Sequence, residues 1–303
     1  MQIKGLFFVI NLRDKNNDNW TFFSDRDANL CFRINDGESE VLQEKCSEEF
    51  DACFDESGNI HIAFQMENGE LGYIFYDFQN WKRICVLKSK HNKKAFSNLR
   101  LFCINKRPEL FYCMSYNYKY YIVHHRIMSS LTNPIALDYC CENSFSICCD
   151  NEANVHIIYK SESDEFIHKT FNSSSQSYYD TKINANENAK RIMCMYDSQN
   201  RLNLLCVSRT KTHYTLSYEN PSLNIEKTLG FGTDSLCLPY IHTDGNRIII
   251  TWHERFFAYR TFSNDFGHSF SKTGFLGRDL TTVPLKLYSK PLGVLYVTKK
   301  SDL

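Results

Sequence analysis

Between Asp55 and Trp81 the chain reads DESGNIHIAFQMENGELGYIFYDFQNW, two apolar runs at 60–64 and 71–76 set between polar turn residues. Runs of this length, flanked by Ser57-Gly58 and Asn68-Gly69, predict two antiparallel strands joined by a tight turn. The pattern then returns. PELFYCM at Leu110, ANVHIIY at Val155, NRLNLLC at Leu202, GNRIIITW at Ile248 and, more loosely, KPLGVLY at Leu292 repeat the turn and strand of Ile60 at intervals of 44 to 50 residues. A short apolar strand precedes each anchor. A polar loop and an aromatic-rich strand, such as LGYIFY or YYIVHHRI, follow the first five, and a fourth strand such as WKRICVL is readable in most repeats.

Four short antiparallel strands in roughly 45 residues is the pattern of a β-propeller blade. A four-stranded blade covers neither of its faces alone, so blades stack and their strands stay apolar on both sides. This accounts for unbroken runs such as RIIITW where a solvent-facing sheet would alternate. The predicted fold is all-β, a single six-bladed propeller spanning residues 1–303. Its blades fall at about 50–90, 96–141, 143–184, 189–230 and 234–278, and the sixth combines 281–303 with 1–48. Completing one blade from both termini removes free sheet edges. The strands GLFFVIN and NWTFFSD exceed what four strands need, which leaves seven blades as the alternative count.

Charge narrows the function classes. The 35 basic residues balance 35 acidic ones, with a pI near 7.1, so no broad field favours a nucleic acid or an anionic membrane as partner. The N-terminal apolar run ends in charges rather than a small-residue cleavage site, and no segment approaches the roughly 18 apolar residues of a membrane span. A soluble, cytoplasmic protein is expected. The 13 cysteines are odd in number, irregularly spaced and mostly set in apolar strands, which suits reduced, buried thiols. The doublets Cys140-Cys141 and Cys148-Cys149 lack the CxxC spacing of structural zinc. Neither a metal nor a cofactor is predicted.

The segment SNDFGHSF, 263–270, resembles the Asp-box turn of sialidase-like bacterial propellers, S-x-D-x-G-x-x-W/F. The resemblance implies a structural turn in which Asp265 caps backbone amides, Gly267 supplies a permissive dihedral and Phe270 plugs into the blade. FRIN at 32–35 resembles the arginine-bearing FRIP stretch of sialidases, with Asn35 in place of proline and Arg33 as the matching arginine. The loose, Asn- and Lys-rich repeat also looks like propeller proteins of low-GC Firmicutes such as clostridia.

Other chemistry is sparse. His61 and His156 hold the same place in their repeats, and a histidine hydrogen-bonded between blades is expected at each. His124-His125 is read as structural, because adjacent residues on a strand point to opposite faces. The basic run KSKHNKK, 88–94, reads as a solvated link between blades.

The loops between second and third strands differ most from blade to blade, and loops of this kind carry binding in propellers. They offer Tyr116, Tyr118 and Tyr120, then Glu162 and Asp164 beside Glu165, then Arg209 and Lys211, then His253, Glu254 and Arg255. Tyrosine and arginine are frequent binding anchors. The reading is therefore a non-catalytic interaction module recognising a protein or a carbohydrate through one face, in a larger bacterial assembly or as the N-terminal domain of a longer protein. The alternative is a sialidase-like glycoside hydrolase or lyase, which needs carboxylates and arginines converging near the axis. The dissimilar loops and only three tryptophans argue against a lectin with equal pockets between all blades.

Overall fold

The computed structural model describes residues 9–88, 95–128, 133–142, 144–183, 189–210, 213–232, 238–254, 257–278, 280–287 and 290–299. They form six sheets, five of them four-stranded and antiparallel, the blades of an all-β six-bladed propeller. Blade 1 comprises Cys46–Phe54, Ile60–Met66, Glu70–Tyr76 and Trp81–Lys88, and blade 2 Phe96–Ile104, Arg107–Tyr116, Lys119–Arg126 and Ile135–Cys140. Blade 3 comprises Ser146–Cys149, Val155–Lys160, Phe166–Asn172 and Ser177–Lys182. Blade 4 comprises Ala189–Tyr196, Leu202–Arg209, Tyr214–Asn220 and Ile225–Gly232, and blade 5 Leu238–Asp244, Arg247–Glu254, Phe257–Ser263 and Gly274–Arg278.

The sixth sheet is larger. Its order is Lys290–Lys299, Leu280–Leu287, Val9–Arg13, Asn19–Ser24, Leu30–Ile34 and Glu40–Gln43. The two strands that exceeded a four-stranded blade thus extend this closing sheet to six strands. The join is parallel, with Asn11 opposite Leu285 and Arg13 opposite Leu287.

By compactness the chain divides into Met1–Ser144 with Val283–Gly293, and Phe145–Thr282 with Val294–Leu303. In the first unit, Trp20, Phe22 and Phe32 of the closing sheet pack on Phe50, Ile60 and Phe64 of blade 1, and Tyr73 of blade 1 packs with Phe96, Leu101 and Tyr112 of blade 2. In the second, Leu205 and Tyr218 of blade 4 pack with Ile248, Ile250 and Trp252 of blade 5. Burying one such side chain contributes about 1.5–3 kcal/mol. The apolar second strands are accordingly buried along nearly their whole length in blades 1 and 3, whereas the fourth strand of blade 3, SYYDTK, is mostly exposed.

One turn recurs throughout. Asp14, Asp25, Asp55, Asp150 and Asp197 each begin a hairpin turn and accept, through Oδ1, the backbone N–H groups two and four residues ahead. The fourth residue of each turn, respectively Asn17, Ala28, Gly58, Ala153 and Asn200, takes a φ between 57° and 91°. An aspartate that satisfies its own turn amides fixes the hairpin without tertiary help.

Candidate functional site

Tyr116, Tyr118 and Tyr120 crown the hairpin between the second and third strands of blade 2. Asn117 and Tyr118 form its tight turn at φ 51° and 62°, and Tyr118 stands wholly in solvent, at 104% relative exposure. Tyr116 pairs with Lys119 and Tyr120 with Ser115, so alternation sends Tyr116 and Tyr120 to opposite faces of the blade. The face of Tyr116 continues through Tyr121, which pairs with both Met114 and Tyr139. The rings of Tyr121 and Tyr139 lie 4.6 Å apart, and the Lys119 ammonium sits 4.9 Å over the Tyr139 ring. Tyr116 and Tyr139 are each more than 40% exposed. The result is an aromatic edge with one cation on a three-stranded support. The loop sequence alone did not reveal Tyr121 and Tyr139; period-two alternation from Tyr116 and Lys119 would have found Tyr121, but Tyr139 comes from the fourth strand.

The charged loops of blade 3 are internally paired. Lys160 Nζ lies 2.6 Å from Asp164 Oδ1, and this hydrogen bond lowers the Asp164 pKa. Lys182 pairs with Glu165 at 3.1 Å, and Glu162 is exposed on the same loop. Arg209 is exposed at its strand end opposite Tyr214, where Thr210 Oγ1 donates to the carbonyl of His213. Lys211 and Arg255 lie outside the described residues, as do the side chains of His253 and Glu254 and the basic run after Lys88. The tyrosines belong to the first unit and the charged loops to the second.

Three buried networks combine a histidine with a carboxylate. In blade 1, His61 reaches Asp55 Oδ2 at 3.3 Å through Nε2 and Tyr73 Oη through Nδ1. His61 was expected to bridge blades; both partners instead belong to its own blade, because the turn aspartate presents its second oxygen to that strand. Burial opposes ionisation of Asp55, but the bonds from His61 and Asn59 prevail and bring its pKa to about 2. His156 repeats this with Asp150 at 3.3 Å, and there one contact does cross to blade 4, the Tyr196 hydroxyl 3.3 Å from Nδ1. In blade 2, Glu109 accepts from His124 Nε2 and Arg126 Nε, both at 2.8 Å, while His124 stacks on Phe111 at 4.4 Å. His125 is also buried, so the His124-His125 pair is structural on both faces.

Carboxylates on the first strand of blade 1 fasten blades together. Glu49 Oε2 accepts from Asn98 N at 2.8 Å and Asp51 Oδ2 from Leu101 N at 2.6 Å. Burial raises the Glu49 pKa against the opposing influence of Arg100. Arg33 lies on its strand opposite Thr21 with its guanidinium 6.0 Å from the Phe23 ring. In the 263–270 turn, Asp265 Oδ1 accepts from Ser269 N at 2.9 Å, Gly267 takes φ 92°, and Phe270 packs edge-on against Tyr218 at 5.0 Å. Among the described residues no group of three or more His, Cys, Asp or Glu side chains could hold a metal ion.

No protein-family model matches this chain, and neither does the sequence of any curated protein. Solved structures do match in fold. A fungal fucose lectin from Aleuria aurantia, itself a six-bladed β-propeller, aligns at TM-score 0.53 and 12% identity over 88% of this chain and 95% of its own. The BP39L lectin of Burkholderia pseudomallei aligns at 0.59 and 8% over 86% and 81%. A PL25 ulvan lyase aligns at 0.63 and 9% over 93% and 87%. At such identities the likeness establishes the fold alone. These neighbours are lectins and a polysaccharide lyase.

Proposed function

We propose that this chain is a carbohydrate-binding propeller module whose contact surface includes the tyrosine edge of blade 2. The observation that carries the reading is that edge: Tyr118 free at a turn apex, with Tyr116, Tyr121, Tyr139 and Lys119 sharing one supported face. Tyrosine offers a large rigid surface with a polar tip, able to stack on the apolar face of a sugar ring and to hydrogen-bond its hydroxyls. The Aleuria lectin in complex with α-methyl-L-fucoside and with Fucα1-6GlcNAc, and the SapL1 lectin in complex with α-methyl fucoside, support a glycan over a protein as the ligand. A single asymmetric edge also suits loops that differ in every blade better than a ring of equal sites would.

The test is a glycan array followed by titration calorimetry, with the Tyr116→Ala/Tyr118→Ala double variant alongside. Binding that the double variant loses at an unchanged unfolding midpoint supports the proposal. Binding unaffected by the double variant, or none across the array, removes it.

A second reading, a polysaccharide lyase, is favoured by the higher TM-score of the ulvan lyase, 0.63 against 0.53 for the Aleuria lectin. Incubation with uronate-containing polysaccharides separates the two. Unsaturated products, seen by their ultraviolet absorbance, would establish the lyase.

A further inference from the structure

Six of the described cysteines touch another thiol. Cys148 Sγ lies 3.4 Å from Cys194 Sγ, Cys103 is hydrogen-bonded to Cys53, and Cys113 to Cys140. The first members of the first two pairs occupy one place in the architecture. Cys53 and Cys148 lie on the first strands of blades 1 and 3, each two residues ahead of a turn aspartate, Asp55 or Asp150. Their partners Cys103 and Cys194 lie on the first strands of the following blades. The partners differ in register: Cys194 is the residue whose N–H Ser146 holds, whereas Cys103 stands two beyond Leu101, the residue held by Asp51.

The strand face that carries these thiols is already the one that joins blades. Glu49, Asp51 and Cys53 alternate along one side of their strand, and the first two accept backbone N–H groups of blade 2. Ser146 and Cys148 repeat the arrangement, with Ser146 Oγ accepting from Cys194 N at 2.9 Å. Polar bonds thus hold both backbones in place around each thiol pair. Bringing 3.4 Å to the ~2.05 Å of a disulfide asks the Cys148 and Cys194 sulfurs to close by little more than ~1 Å.

We propose that Cys148 with Cys194, and Cys53 with Cys103, are reversible inter-blade disulfide sites closed by a two-electron oxidant of the hydroperoxide class. Cys194 is the more open of its pair, at 6% exposure against 1% for Cys148, and meets the oxidant first. Its sulfur takes one peroxide oxygen to become a sulfenic acid, and the other leaves as water. The Cys148 sulfur then attacks the sulfenic sulfur, its proton joins the departing hydroxide as a second water, and the S–S bond forms. Two thiols lose two electrons and two protons, and one peroxide becomes two waters.

The experiment uses the full chain, reduced with dithiothreitol or treated with hydrogen peroxide, then alkylated in denaturant and mapped by non-reducing peptide mass spectrometry. Fragmentation is required because Cys140, Cys141, Cys148 and Cys149 share one tryptic peptide. The expected result is two cross-links, Cys148–Cys194 and Cys53–Cys103, both reversed by dithiothreitol, and a higher thermal midpoint for the oxidised chain. Cys194→Ala removes the first link and keeps the second, and Cys148→Ala serves as an independent variant if Cys194→Ala folds poorly. Peroxide-treated protein that leaves Cys148 and Cys194 open to alkylation, links either to another cysteine, or carries Cys194 to sulfinic acid without a link overturns the proposal.

Discussion

His156 Nδ1 lies 2.9 Å from His168 Nε2 within blade 3, so the two imidazoles face each other at hydrogen-bond distance. Thr170 Oγ1 and the Tyr196 hydroxyl complete the enclosure at 3.2 and 3.3 Å from His156 Nδ1. Burial lowers the pKa of His156 against the pull of Asp150, and burial with repulsion from His156 lowers that of His168 to about 4.

This pair predicts an acid-sensitive fold. The unfolded chain protonates His168 near ~6.5, while the folded chain resists until about 4, so folding stability falls as pH drops through that window and then levels for this group. The loss is at most about 3 kcal/mol, and nearer 1–2 once solvent screening of the partly open ring is allowed for. His242, lowered to about 4 chiefly by burial, acts in the same window. Urea midpoints of wild type and His168→Gln between about pH 7 and 4 measure it, and the variant should show the shallower decline.

Asp55 acts with the same sign in a lower window. Its folded pKa of about 2 lies below the unfolded value of ~3.9, so its contribution is complete above ~3.9 and disappears as pH falls through 2. At neutral pH, Asp55→Ala removes acceptors for Ser57 N, Asn59 N and Asn59 Nδ2, and should cost about 2–3 kcal/mol. Asp55→Asn keeps one oxygen and should cost less. Chemical denaturation of both variants checks the order.

Gly267 combines φ 92° with a position where an added Cβ would strike the Tyr218 hydroxyl. Gly267→Ala should lower stability by about 2–4 kcal/mol, from dihedral strain together with overpacking. Tyr218→Phe in the same chain removes the struck oxygen and should recover part of that loss. A double-mutant cycle by thermal denaturation measures the recovery.

Glu109 is 1% exposed and accepts from both His124 and Arg126. Removing one member of such a buried set leaves charge without its partner, so Glu109→Ala should cost about 3–5 kcal/mol. An unfolding midpoint that hardly moves would overturn this structural role. Calorimetric unfolding distinguishes the outcomes.

The repeat of the anchors Ile60, Leu110, Val155, Leu202 and Ile248 was legible because each stands on a strand whose hydrogen-bonded neighbours are close in sequence. Closure was legible only in outline. The strand Val9–Arg13 finds its second partner at Leu285, and local patterning carries no trace of so distant a pairing. The equivalence of His61 and His156 was visible, but not its cause, which was present as an aspartate, a later asparagine and then the histidine in both DESGNIH and DNEANVH. The tyrosine loop was readable as exposed. Its extension through Tyr139 was not, since the cross-strand register that places Tyr139 beside Tyr121 is a tertiary result.

The parallel pairing of Asn11 with Leu285 also orders events in time. Each aspartate-closed hairpin gathers residues only a few positions apart and can form while the rest of the chain is still a coil. The pairing of Asn11 with Leu285 must instead bring together segments separated by nearly the full length of the polypeptide, at an entropic cost about 3 kcal/mol above that of a ten-residue hairpin. That cost makes the seam the step expected last, after the hairpins of the individual blades.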